Sequence, residues 1–377
     1  MATDLTPSGG RHRAAGPRGR APVATRPGAT GPRLDGLDAA RGLAVLVMLV
    51  AYLSPVGGAL DVAQYLAAPL FVVVLGVGVV LRMTRARPDR PRFVADEVVR
   101  GILLVLLGVV LQAAYGQVDV VLPYLGVLVV VLAPLALVLR PVPVLTLGLV
   151  VGGAVLGPLV TERVRDHVLA DPSAAAGVTG HLLRWLATGS DHRLVSFLPM
   201  ALAGLVLALL LPHLTRLVPT VGIAAVLLGA GGVVKVIGDG TADGAGPSSG
   251  TTAEVVAVTF LAAGAVVASF ALVLLVRGRA TVLEPALHVL LAVGRLTLTA
   301  YTLLILVLAL LSLARDGAPD DTWPVLLVTT VVVVGACWGL DRRFGTGPLE
   351  VLVRVVRLPS RGRHGVPVRS PRPARER

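Results

Sequence analysis

Long apolar stretches alternate with short polar links along most of this chain. The apolar runs fall at about 42–58, 63–81, 98–115, 119–139, 142–160, 194–211, 217–237, 253–276, 295–313 and 323–340, each long enough to cross roughly 30 Å of hydrocarbon as a helix. Valine is abundant in them, but polar and apolar residues do not alternate with the period of two that an outer-membrane strand requires. The pattern therefore predicts an all-α polytopic transmembrane helix bundle of about ten spans.

The links between runs orient it. With the N-terminus inside, the link after the second span is cytoplasmic, and it carries Arg82, Arg85, Arg87, Arg90 and Arg92. The other inward links hold Arg140, Arg216, Arg277 and Arg279, whereas the links after the first and third spans have no Lys or Arg. This is the asymmetry that retains basic loops in the cytoplasm, and an even span count returns the C-terminus to the same side. The expected organisation is a disordered Arg/Pro/Gly-rich tail over 1–40, a transmembrane domain over 41–341 and a second basic tail over 342–377, with both termini cytoplasmic. Two outward segments are long: 161–193, where a surface helix anchored by Trp185 is expected, and 238–252, which reads as a flexible loop.

Composition agrees: 55% of residues are hydrophobic and 15% charged, against about 25% charged in a soluble domain. The net charge of +12 raises nucleic acid as a partner, but its distribution points elsewhere. The first 40 residues hold 6 Arg and 3 acids, and the last 36 hold 10 Arg and 2 acids, so nearly all of the excess lies in the tails. Such tails are expected at anionic lipid headgroups, with no nucleic-acid partner and a multi-pass location in the cell membrane. About 40 polar residues precede the first apolar run, so no cleavable signal is expected. A single cysteine, Cys337, leaves no disulfide within the chain. No phosphate-loop or His-Glu-x-x-His signature is present, and no metal is expected. Paired glycines at 76/78, 148/152 and 229/231/232 lie in apolar runs and read as helix-packing surfaces.

Chemistry-bearing residues are few. Arg33-Leu-Asp35-Gly-Leu-Asp38-Ala-Ala-Arg41-Gly-Leu-Ala44 opens the first span. Either aspartate can cap the helix, and Arg41 can pair with Asp38 three residues earlier; alternatively Arg41 binds an anionic ligand such as the phosphates of an acyl-CoA. Gln112, Tyr115, Asp119 and Tyr124 gather where the third and fourth spans meet on the outer side, as an interfacial belt or as one wall of a binding site.

Several of these stretches also carry a family resemblance. The opening Leu37-Asp38-x-x-Arg41-Gly42-Leu43-Ala44, Leu70-Phe71 with Leu75-Gly76-Val77, Leu122-Pro123-Tyr124, Leu202-Ala203-Gly204-Leu205, Val293 to Tyr301, and Phe344-Gly345-Thr346-Gly347-Pro348-Leu349-Glu350 occur in order over about 33–357. Together they resemble a bacterial membrane family of poorly characterised proteins related to the heparan-alpha-glucosaminide N-acetyltransferase catalytic domain. The resemblance implies transfer of an acetyl or other acyl group from cytoplasmic acyl-CoA to a glycan or other cell-envelope acceptor on the outer side. It implies donor binding by Arg41 and Arg295 at the inner mouth, although Arg295 is equally placed to reach lipid headgroups. It also implies a histidine near the outer end of the first span, where this chain has Tyr52. Tyrosine, with a pKa near 10, is a poor base at neutral pH, so the outer acid–base candidates are Asp61, Tyr52 and His192. Asp61 can instead be a helix cap, and His192 a solvated loop residue. The alternatives are a permease or lipid-handling protein, a non-catalytic relative, or the broad acyltransferase family that opens on Leu-Asp-Gly-Leu-Arg-Gly, whose histidine is likewise absent.

Overall fold

A computed structural model describes residues 32–355 apart from 56–59, 61, 86–88, 116–118, 171–176, 190–191, 242–243, 245, 247 and 316–321. The described residues form helices and no strand, in a multi-pass bundle. The chain runs through α1 (Pro32–Leu53), α2 (Val62–Arg85), α3 (Arg90–Ala114), α4 (Leu122–Leu139), α5 (Pro143–Ala170), the short α6 (Gly177–Leu183), α7 (Leu194–Leu210), α8 (Leu217–Asp239), α9 (Thr252–Gly278), α10 (Glu284–Arg295), α11 (Thr297–Ala314), α12 (Trp323–Phe344) and α13 (Pro348–Val355).

Nine of the described helices are long and apolar enough to cross a membrane. The predicted span at 98–115 lies in α3, which is not among those nine, yet α3 runs the length of the bundle. At one end Glu97 pairs with Arg82 of α2; at the other Gln112 Oε1 accepts from Val120 N, just ahead of α4, at 2.7 Å. Its outer face, Ile102, Leu106, Val109 and Val110, is exposed, as expected of a lipid-facing surface.

The bundle is layered. Helices α1, α2, α4, α7 and α9 form the interior, around Met48, Leu49, Leu70, Leu128 and Leu132, all nearly inaccessible. Helices α5, α8 and α12 lie outside them and expose Val144, Val151, Val218, Val236, Leu327 and Val331. In water such an apolar exterior would be a liability; in lipid it is the solvated face. Interior helices touch at small residues. Gly76 of α2 and Gly204 of α7 meet so closely that a β-carbon on Gly76 would lie 3.1 Å from Gly204 Cα, which is close backbone approach of the kind that drives helix association in membranes. Gly148 and Gly152 of α5, by contrast, have nothing near them.

Three differences from the sequence pattern have local causes. The run at 295–313 is preceded by a separate amphipathic helix, α10, which packs across α1, and the chain breaks at Leu296 before α11. There Thr297 Oγ1 donates to Gly294 O at 2.5 Å, and Glu350 of α13 accepts from Leu298 N (2.9 Å), Thr299 N (3.0 Å) and Thr299 Oγ1 (2.6 Å). Helices also extend into both segments predicted as tails, over 32–40 and 342–355; the rest of those tails lies outside the described residues. Finally, α5 continues as helix to Ala170, and the outer segment continues with α6 and a π-helical turn at Arg184–Thr188.

The helix ends sort to two faces. One carries the starts of α1, α3 and α11 and the ends of α2, α9, α10 and α12; ion pairs join α1, α9, α10 and α12 there, and Arg82 of α2 pairs with Glu97 of α3. It holds both ends of the described chain and is called the arginine-rich face below.

Candidate functional site

At the opposite face, a cavity of about 400 Å³ opens between α1, α2, α7 and α9. Its apolar wall is Met48, Pro69, Phe197, Met200 and Val258; its polar wall includes Tyr52, Gln64, Tyr65, Asp119, His192, Ser196 and Glu254. A concavity with an apolar wall and convergent polar groups has the general form of a small-molecule site.

The centre of the polar wall is the backbone of residues 119–121, which four elements grip. Tyr52 Oη at the end of α1 donates to Asp119 O at 3.3 Å, and His192 Nε2, just ahead of α7, lies 3.3 Å from the same oxygen. Val120 N donates to Gln112, and Val121 N to Tyr301 Oη of α11 at 3.2 Å. The two acid–base candidates thus converge on one carbonyl. Because a carbonyl only accepts, the contact assigns the proton of a neutral His192 ring to Nε2 and leaves the lone pair on Nδ1. His192 is 7% exposed, and its Nδ1 has no hydrogen-bond partner among the described residues. Nor does the hydroxyl of Ser196, four residues on in the first turn of α7 and 9% exposed.

Aromatic rings fix the imidazole. Tyr124 meets it edge-on, with centroids 5.5 Å apart, and Phe197 lies at 5.7 Å. Trp185 backs Tyr124 at 5.6 Å, so the residue expected to anchor a surface helix instead packs on the ring behind His192. The next shell is electrostatic: Arg193, 6% exposed, donates from Nε to Gly189 O (2.7 Å) and from Nη2 to Ser248 O (2.9 Å). Glu254 accepts from Ser248 N (2.6 Å), Ser249 Oγ (3.1 Å) and Gly250 N. The stretch read as a flexible loop therefore ends in a closely bonded turn that forms part of the cavity wall. Lys235 of α8 stands 4.3 Å from the centroid of the Tyr65 ring and pairs with Asp239 at 2.8 Å.

Asp61, the third acid–base candidate, and Asp191, next to His192, lie outside the described residues. Arg41 and Arg295 are not in this cavity. Arg41 Nη1 binds Asp38 Oδ1 at 3.1 Å, and Arg295 reaches Asp38 (3.8 Å), Asp35 (3.8 Å) and Asp341 (3.4 Å). Asp35, fully buried, also pairs with Arg277. Arg41 and Tyr52 are eleven residues apart on α1, roughly 16 Å at 1.5 Å per residue. The two centres are thus carried on one helix, at opposite ends.

Sequence reasoning did not single out Ser196, Glu254 or Arg193. Glu254 was visible as the last residue of Thr251-x-x-Glu254, a helix-start signature, and Thr251 Oγ1 does accept from Glu254 N at 3.2 Å. The role of the Asp119 carbonyl had no signal, since a backbone oxygen leaves none.

Residues 195–358 match a family described as a protein of unknown function (DUF418). No curated protein matches the chain. The matched region runs from the first turn of α7 to α13, so it includes Ser196, Glu254 and Arg295 and stops short of His192, Tyr52 and Arg41. The family description assigns no chemistry, and the functional reading rests on the geometry of the cavity.

Proposed function

We propose that this protein is a membrane-embedded acyltransferase whose acceptor is activated in the cavity by His192. The observation that carries this reading is the shared hold of Tyr52 and His192 on Asp119 O, which leaves His192 Nδ1 buried and without a hydrogen-bond partner among the described residues, in a cavity that Ser196 also lines. A neutral imidazole with a fixed tautomer is suited to general-base catalysis near neutral pH.

In the proposed reaction His192 Nδ1 takes the proton of an acceptor O–H or N–H as that atom attacks the carbonyl carbon of an acyl thioester. The tetrahedral oxyanion that forms needs a hydrogen-bond donor, and the Ser196 hydroxyl stands on the cavity wall. Collapse breaks the carbon–sulfur bond, and the leaving thiolate receives the proton from the imidazolium. Tyr52 remains protonated throughout and keeps its bond to Asp119 O, the carbonyl that orients His192, at the place where the resembling family has a histidine. The acceptor is a hydroxyl or amine of a glycan or other envelope component. The donor is acyl-CoA, approaching from the arginine-rich face, which the arginine distribution assigns to the cytoplasm; Arg41 and Arg295 stand at that entrance. Between the two ends lie Val45, Leu49, Val73 and Val77, all nearly inaccessible. This packed aliphatic stretch offers no polar groups to an ion or a polar solute, which disfavours the permease alternative.

The test is transfer of radiolabel from acetyl-CoA to envelope material by membranes containing the protein. His192→Ala should lower the rate by about 100-fold or more, the usual contribution of a positioned base, and Tyr52→Phe by less. Protein-independent labelling, or full activity in His192→Ala, contradicts the proposal.

A further inference from the structure

Gly78 lies in the arginine-rich half of α2 and is buried. A β-carbon at this position would stand 2.9 Å from Arg82 Nη1 and 3.7 Å from Arg41 Nη2. Two guanidinium nitrogens, one from each of two helices, therefore lie against the same glycine, whose missing side chain makes room for Arg82 Nη1. Among the described residues neither nitrogen donates a hydrogen bond. Arg82 gives Nε and Nη2 to Glu97 as a fork, at 2.5 and 2.9 Å, and Arg41 gives Nη1 to Asp38 at 3.1 Å. Among the described residues no carboxylate bonds either remaining nitrogen.

Like charges held face to face are unfavourable wherever water screens them poorly, and these side chains are only 20% and 30% exposed. An anion between them reverses the sign of the interaction. Planar guanidinium groups with free N–H donors match the oxygens of a phosphate. We infer that Arg41 and Arg82, which meet beside Gly78, bind a phosphate group. The acids on either side, Asp38 and Glu97, hold the two forks in place and leave one nitrogen of each for the ligand.

Such a phosphate belongs either to a soluble ligand with the phosphate-rich head of a coenzyme A or to an anionic lipid headgroup. The soluble assignment rests on the acyl-transfer reading; the site itself does not, so the test reads binding and not turnover. The full-length chain is placed in nanodiscs of phosphatidylcholine, and its thermal unfolding is followed as coenzyme A is added; parallel discs contain phosphatidylglycerol. A ligand that binds the folded state raises Tm in proportion to its occupancy. A rise with coenzyme A and none with phosphate-free pantetheine assigns the soluble phosphate, and a rise with phosphatidylglycerol alone assigns the headgroup; either supports the site. Gly78→Ala puts a methyl group 2.9 Å from Arg82 Nη1, so that end of the guanidinium must shift. Apparent affinity should fall about tenfold or more. Arg41→Gln should weaken binding similarly, with Asp38 still held by Arg295. No response to either ligand, or undiminished affinity in both variants, overturns the site. Phosphate binding without acyl transfer leaves the site standing and removes the proposed reaction.

Discussion

At the scale of single residues, the polar groups of this protein divide into those whose bonds are complete and those left open toward a cavity. Glu254 belongs to the first kind: its two oxygens receive Ser248 N, Ser249 Oγ and Gly250 N and so shape the cavity turn. Glu254→Ala leaves these donors without an acceptor and should cost about 1–3 kcal/mol, measured by thermal or denaturant unfolding in detergent. A loss below about 0.5 kcal/mol would mean that the turn is held by Arg193 alone. His192 and Ser196 are of the second kind, with buried atoms that have no partner among the described residues. Their two roles were not separable from the sequence. A histidine ahead of an apolar run reads as a solvated loop residue, and only the carbonyl of Asp119, brought from 73 residues away, gives it a tautomer and a neighbour.

At the scale of elements, the stretches that carried the family resemblance meet in pairs. Leu75-Gly76 of α2 faces Leu202 to Leu205 of α7 through the Gly76–Gly204 contact. The opening Asp35, Asp38 and Arg41 lie with Arg295 in one ion network, and the Gly347-Pro348-Leu349-Glu350 ending caps the start of α11. Much of what makes these stretches recognisable is therefore structural: close crossings, a cap and charge pairing. Glu350 is an N-cap delivered from a different helix, and Glu350→Ala should cost about 0.5–2 kcal/mol, the range for losing a capping carboxylate. Limited proteolysis should then cut near α13 faster than in the parent, whereas an unchanged digestion pattern would show that apolar packing alone holds α13. The spans themselves were legible because an apolar run of membrane length has few other uses. The break at Leu296 was not, because α10 and α11 form one nearly continuous apolar string, and their separation depends on a carboxylate about fifty residues further on.

At the scale of the whole molecule, two polar centres stand at opposite ends of α1, about 16 Å apart along it, with an aliphatic interior between them. The basic links predicted one face, and the helix ends gather there as expected. The other face was named in advance only through Tyr52 and His192, which the fold brings to one cavity, while the donor candidates Arg41 and Arg295 are bound into ion pairs at the far end. The central claim is transfer across this division. It is tested most directly in proteoliposomes of known orientation, with labelled acetyl-CoA supplied only at the arginine-rich face and a hydroxyl- or amine-bearing envelope acceptor only at the other. The account predicts acylated acceptor in the opposite compartment, abolished by His192→Ala and not by the removal of metal ions. Label that stays with the donor side, or transfer that survives His192→Ala, contradicts it.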